Sequence, residues 1–156
     1  MAIITRKINR VLFEEKPYEA WNAFVNLIAK EKYEDLDEIQ QVAHLCFWYD
    51  SEVQNGGHMQ FFENRGIRLL NETLAALRSL GGECQRGILE QAGGLVLARP
   101  GKSEINTVED YVAVARSGEF AAFDTAYYAC KPTIETLLGD YFDRHRDDFI
   151  QITDDV

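Results

Sequence analysis

No run of this sequence is apolar for long enough to cross a membrane, which takes about 20 consecutive apolar residues in a helix. Proline is scarce, at 3 of 156 residues, so a long disordered stretch is not expected. Basic residues are also short: 16 Lys and Arg stand against 26 Asp and Glu, a formal net charge of -10. A chain with that balance repels nucleic acid and anionic lipid, which argues against direct nucleic-acid or membrane binding and favours a basic partner. The blander reading is that the charge only keeps the protein in solution. The three cysteines, Cys46, Cys84 and Cys130, form no CxxC pair and lie in apolar helical segments. They read as three reduced, buried thiols of a reducing compartment. With no signal-peptide-like apolar run after Met1, a cytoplasmic protein is expected.

Metal and cofactor signatures are missing as well. There is no HExxH, and His44 and Cys46 fall on different faces of one helix, a poor geometry for a shared metal. His145 stands between Arg144 and Arg146 near a helix C-terminus, where positive charge is favoured. The glycine pairs Gly56–Gly57 and Gly93–Gly94 lack the spacings of phosphate-binding loops, and Ser51 and Ser103 lack a nucleophile setting. No metal, no cofactor and no catalytic residue is therefore assigned, and an enzyme is not expected.

What the sequence does hold is helical period. Trp21, Phe24, Val25 and Ile28 share one face behind Pro17, which suits a first helical turn. Ile39, Val42, Ala43, Cys46 and Phe47 continue the pattern until Asn55-Gly56-Gly57 stops it. Leu70, Thr73, Leu74 and Leu77 mark another helix, closed by Gly81-Gly82, and 83–97 a further one. Arg99-Pro100-Gly101-Lys102 reads as a loop, and Thr107-Val108-Glu109-Asp110 as a capping box for a helix ending at Gly118. Phe120, Phe123, Ala126 and Tyr127 start the next helix. Pro132 opens the last, whose buried face is Ile134, Leu137, Leu138, Tyr141 and Phe142. Ala2-Ile3-Ile4-Thr5 could be extended, but no sheet is expected. The expectation is one all-α domain over 1–156, an irregular bundle of about eight helices.

One stretch is unusual. Glu52, Gln54, Asn55, Gly56, Gly57, His58, Gln60, Phe61, Phe62 and Asn64 concentrate side-chain amides, a Gly pair and two aromatics. The amides suit the unpaired backbone groups of a helix end and the next start. Phe61 and Phe62 cannot share a helix face, so the element should be buried on two sides. Residue physics favours a structural corner over a ligand pocket.

This stretch resembles the hallmark E-x-x-N-G-G-x-x-Q-[FY]-[FY]-x-N of a bacterial DNA mimic protein family, the nineteen type, formally a domain of unknown function. The matching residues are Glu52, Asn55, Gly56, Gly57, Gln60, Phe61, Phe62 and Asn64. Phe123-Asp124-Thr125-Ala126-Tyr127-Tyr128 looks like the family's aromatic-Asp-x-x-Tyr-Tyr region. Leu137, Tyr141 and Phe149 are similar to its last helix, and the likeness covers about 38–150. The residue after Gly57 is usually Phe in that family and is His58 here, a departure that bears on local packing. The resemblance implies an all-helical fold, often a homodimer, whose carboxylates imitate duplex phosphates. The implied partner is a DNA-binding protein or transcription regulator kept off its DNA.

Mimicry itself rests on scattered acids, so charge has to place it. Asp140, Asp143 and Asp147, with Asp148 beside them, are spaced to share a helix face, and Asp154 and Asp155 extend the acidity. Glu31, Glu34, Asp35, Asp37 and Glu38 form a second cluster, and Glu104, Glu109 and Asp110 a third. Arg144 and Arg146 interrupt the first, and Lys30 and Lys32 flank the second, as on an ordinary solvated helix face. Two alternatives stand beside mimicry: an immunity protein that neutralises a basic toxin, and a helical domain with no mimicry.

Overall fold

The computed structural model describes residues 4–98 and 118–154. In chain order these form β1 (Arg6–Asn9), α1 (Arg10–Glu15), α2 (Tyr18–Lys30), a 3-10 turn (Tyr33–Asp35), α3 (Glu38–Arg65), α4 (Leu70–Leu80) and α5 (Glu83–Leu97). After the undescribed stretch come α6 (Ala121–Ala129), α7 (Ile134–His145), a 3-10 turn (Arg146–Asp148) and β2 (Ile150–Thr153). The all-helical expectation holds in its main sense, with seven α-helices among the described residues. The expected loop at 99–102, the capping box at 107–110 with its helix, and the acids Glu104, Glu109, Asp110 and Asp155 lie outside them.

Two expectations need correction. The first concerns strands. β1 and β2 pair in parallel, with Arg6 opposite Ile150 and Ile8 opposite Ile152. Each strand is four residues long, and the buried members are chiefly Ile8 and Ile150, too short an alternation to stand out in sequence. A parallel pair needs a crossover, and here nearly the whole helical chain supplies it. The second concerns cysteine. Cys84 and Cys130, 46 positions apart, are joined in a disulfide that ties the first turn of α5 to the end of α6; Cys46 alone is a buried thiol. The pairing depends on α5 and α6 meeting in space, which cysteine spacing does not encode.

Local chemistry explains the helix ends. Asp37 caps α3 by accepting from the Gln40 amide at 2.8 Å, while Gln40 Oε1 accepts from Asp37 N at 3.2 Å, a reciprocal box. The same Gln40 is fully buried, and its Nε2 donates to the carbonyls of Ile4 at 2.6 Å and Asp148 at 2.8 Å. One side chain thus caps a helix and clasps both ends of the chain. Gly81 ends α4 in the left-handed conformation, φ 96°, its N–H and that of Gly82 both returning to Leu77 O. Thr133 caps α7.

Phe24, Phe142 and Phe149 form the aromatic centre between α2, α7 and β2, with Phe24 stacked on Phe142 at 4.6 Å and edge-on to Phe149 at 4.7 Å. Leu70, Leu77, Leu89 and Val96 knit α4 to α5. The core therefore runs along α3, which meets α2, α4, α6 and α7.

Candidate functional site: a polar corner and an acidic rim

Within α3, Gly56 (φ -154°, ψ 20°) and Gly57 (φ 74°, ψ -175°) leave helical geometry, and the helix restarts at His58. Twelve residues of unbroken helix would span about 18 Å. Yet Asn64 Nδ2 donates to Glu52 Oε2 at 2.5 Å, and Tyr49 and His58 are bonded at 2.7 Å. The two limbs of α3 therefore fold towards each other about the glycine pair. Asn55 Nδ2 donates to Gln60 Oε1 at 3.1 Å and closes the outside of the corner. Phe61 packs edge-on to Tyr49 at 5.0 Å and Phe62 stacks on Phe120 at 5.6 Å, so the two rings are buried in different directions, as the sequence required. Gly57 is irreplaceable on two counts. Its φ is positive, and a Cβ there would lie 2.5 Å from Asp124 Oδ2.

Asp124, on α6, is the clamp. Its Oδ1 accepts from His58 N at 2.9 Å and from His58 Nδ1 at 2.7 Å. That places the ring proton on Nδ1 and leaves Nε2 to accept from Tyr49 O–H. Burial lowers the His58 pKa, opposed by the hydrogen bond and charge of Asp124. Burial, reinforced by Asp124 and Asp50, raises Tyr49 well above its ordinary value. Alongside, Tyr127 O–H donates to Asp50, and Tyr128 O–H donates to Val53 O at 3.3 Å. An Asp–His–hydroxyl order is the grammar of an activated nucleophile, but Tyr49 is fully buried, so its hydroxyl meets no solvent. The chain of bonds locks α6 onto the corner. Asp124 and Tyr127 belong to this site beside the eight motif residues; Asp124 reaches His58 across 66 positions and Tyr127 reaches Asp50 across 77, beyond any local pattern.

The acidic residues divide. In the second cluster Glu31 faces Arg6 at 3.8 Å and Asp37 is taken up as the cap of α3. Glu34, Asp35 and Glu38 stay exposed with no ion pair among the described residues, and Glu72, which sequence spacing does not connect to them, lines one groove with Glu38. On α7 the buried stripe of Leu137, Leu138, Tyr141 and Phe142 turns Asp140 and Asp143 outward, one turn apart and both without an ion pair. Asp147 faces Arg146 at 3.8 Å and Asp148 faces His145 at 3.8 Å, so these two are partly compensated. The interrupting arginines lean on rings: Arg144 on Tyr141 at 5.7 Å and Arg146 on Phe13 at 5.3 Å. The two clusters adjoin. Tyr141 O–H donates to Ile39 O at 2.8 Å, and Gln40 holds Asp148 O, which sets the end of α7 against the start of α3. Burial chiefly raises Tyr141, with Cys46, Asp37 and Asp148 adding to it and Arg144 opposing.

Among the described residues no three His, Cys, Asp or Glu side chains are placed to hold a metal ion, and no helix is long and apolar enough to cross a membrane. His44 is a core residue, its Nδ1 donating to Ile28 O at 2.8 Å. No curated protein and no solved structure matches the chain. A family model described as DMP19-like protein matches residues 34–145, a span that starts in the acidic turn, contains the whole polar corner and closes at the end of α7. The chain belongs to the DMP19-like protein family.

Proposed function

We propose that this chain is a binding protein rather than an enzyme: an acidic interaction protein that occupies the DNA-contacting surface of a basic partner, such as a transcription regulator. The observation that carries this reading is the acidic rim. Asp140 and Asp143 point outward from α7, and Glu34, Asp35 and Glu38 stand exposed in the turn before α3 and at its start, without cation partners among the described residues. Carboxylates one helical turn apart are about 5–6 Å apart at Cβ, a spacing that approximates a row of phosphates. Tyr141 and Gln40 hold α7 and the turn after it against the start of α3, so the two groups stand on neighbouring elements and both raise the local negative potential. Membership of the DMP19-like family and the net charge of -10 support the same reading. Neither nucleic acid nor a membrane is a partner under this proposal, and the chain acts in the cytoplasm, where such regulators work, its Cys84–Cys130 bond being an exception to the reduced thiols usual there. Self-association into a homodimer belongs to it too and is read by light scattering.

The test is a pull-down from lysate at low salt, followed by competition of the captured protein with duplex DNA. The chain should retain a DNA-binding protein, duplex should displace it, and raising the salt should weaken it. Combined Asp140→Lys and Asp143→Lys should lower affinity about tenfold or more, taking each rim contact near 1 kcal/mol. Undiminished capture by the double variant would remove the basis of the proposal.

A further inference from the structure

The arginines of this acidic chain mostly have partners. Arg6, Arg10, Arg78, Arg86 and Arg146 each sit within 4.0 Å of a carboxylate. Among the described residues Arg65, Arg68 and Arg144 do not, although acids outnumber bases 26 to 16. Two of these three line one cleft of about 480 Å³, enclosed by the end of α2, the following turn, both limbs of α3 and the start of α4. Lys32, likewise without an ion pair, lines it too. The volume lies in the range of small-molecule sites.

The cleft is arranged rather than merely basic. The Arg65 guanidinium carbon lies over the Trp48 ring, 4.2 Å from its centre, a cation–π contact that holds the side chain at the cleft without using its N–H donors. Desolvation by its neighbours lowers its pKa, against the attraction of Glu52, while the residue stays exposed and has no contact carboxylate among the described residues. His44 lines the cleft as a neutral ring, since burial and Arg65 both lower its pKa and its Nδ1–H is committed to Ile28 O. Its Nε2 is then an acceptor. Tyr33, 6.1 Å from His44 between ring centres, supplies a second flat wall. Two carboxylates also line the cleft; Glu31 is answered by Arg6, and Glu34 is exposed.

We propose that this cleft binds a small organic anion, with a carboxylate or phosphate head held by Arg65 and Arg68 and a flat apolar body laid between Tyr33 and Trp48. The guanidinium presents two parallel N–H groups to the head, a geometry that favours planar bidentate acceptors. Lys32 adds charge at the mouth. The site borders the acidic rim at Glu34, which lines it, but Asp140 and Asp143, the residues on which the test of the rim rests, do not line it.

Calorimetric titration of the intact chain with phenyl phosphate, benzoate and inorganic phosphate tests this. An aryl anion should bind saturably and at least tenfold tighter than inorganic phosphate, and whether phenyl phosphate or benzoate wins tells which head the site takes. Trp48 emission, read in a Trp21→Phe background, should change with the same midpoint. Arg65→Gln and Arg68→Gln should each weaken binding about tenfold, while Arg144→Gln, the unpaired arginine outside the cleft, leaves it unchanged. Arg68 is exposed, so its variant keeps the fold even should Arg65→Gln disturb Trp48. No saturable binding of either aryl probe, or equal binding by Arg68→Gln and the unaltered chain, overturns the proposal.

Discussion

Gly57→Ala probes the corner most directly. The residue holds φ 74° and ψ -175°, a region open in practice only to glycine, and an L residue there costs about 1–3 kcal/mol. The added methyl would stand 2.5 Å from Asp124 Oδ2 and 3.0 Å from its Cγ, so the carboxylate must retreat. That carboxylate holds His58 through two hydrogen bonds, of 2.9 and 2.7 Å. Loosening one bond to a charged acceptor costs about 1.5–3 kcal/mol. Together the two effects come to about 2.5–6 kcal/mol, a large share of the 5–15 kcal/mol that holds an ordinary domain together. The expected drop in melting temperature is about 5–24 °C, at 2–4 °C per kcal/mol for a chain of this size. Gly139→Ala is the matched control. It lies inside α7 with nothing within 4 Å of an added Cβ, and should gain about 0.5–1 kcal/mol from helix propensity. Urea unfolding followed by circular dichroism gives both values. A Gly57→Ala protein within 1 kcal/mol of the unaltered chain would refute the account of the corner, taking that margin as the ordinary effect of a point substitution.

Acid should loosen the same site. The His58 pKa in the folded protein lies below its ordinary 6.5, mainly through burial. Its stabilisation is complete above pH 6.5 and is lost as pH falls from there towards the lowered value, because the unfolded chain takes the proton first, with a slope of at most about 1.4 kcal/mol per pH unit. Unfolding curves at successive pH values should show this slope, and His58→Phe should flatten it while costing about 1–3 kcal/mol for the Tyr49 hydroxyl left without its acceptor; an unchanged slope would contradict the assignment. Reducing the Cys84–Cys130 bond opens a loop of 46 residues and should destabilise the chain by up to about 4 kcal/mol in the chain-entropy account, read as a lower urea midpoint with reductant present. Equal midpoints with and without reductant would count against that bond as a determinant of stability.

Most helices were legible because they carry their own period and their own stops; α1, six residues with none buried, has no periodic face and was not foreseen. Trp21 to Ile28, Leu70 to Leu77 and Ile134 to Phe142 declare a buried face within two turns. The corner was legible as a corner for the same local reason, since Asn55-Gly56-Gly57 interrupts the helix and the amides around it mark orphaned backbone groups. What closes the molecule was not. β1 is stable only against β2, some 144 residues later, and Cys84 meets Cys130 only after α5 and α6 have packed. The role of His58 was hidden likewise. Beside Gly57 it reads as an odd substitution for an aromatic, and its meaning comes from Asp124 and Tyr49, one of them 66 residues away.

The division of labour among residues follows from this geometry. Glu52, Asn55, Gly56, Gly57, Gln60, Phe61, Phe62 and Asn64 are all engaged in making the turn: hydrogen-bonded across it, packed beneath it, or shaping its backbone. None of them belongs to the exposed carboxylates of the rim. These residues thus specify how the limbs of α3 fold towards each other. The outer positions carry few packing constraints, so their charge can be altered without disturbing the corner. For this chain the pattern to test is the one set by Asp140, Asp143, Glu34, Asp35 and Glu38, because these acids are neither caps nor partners of an arginine.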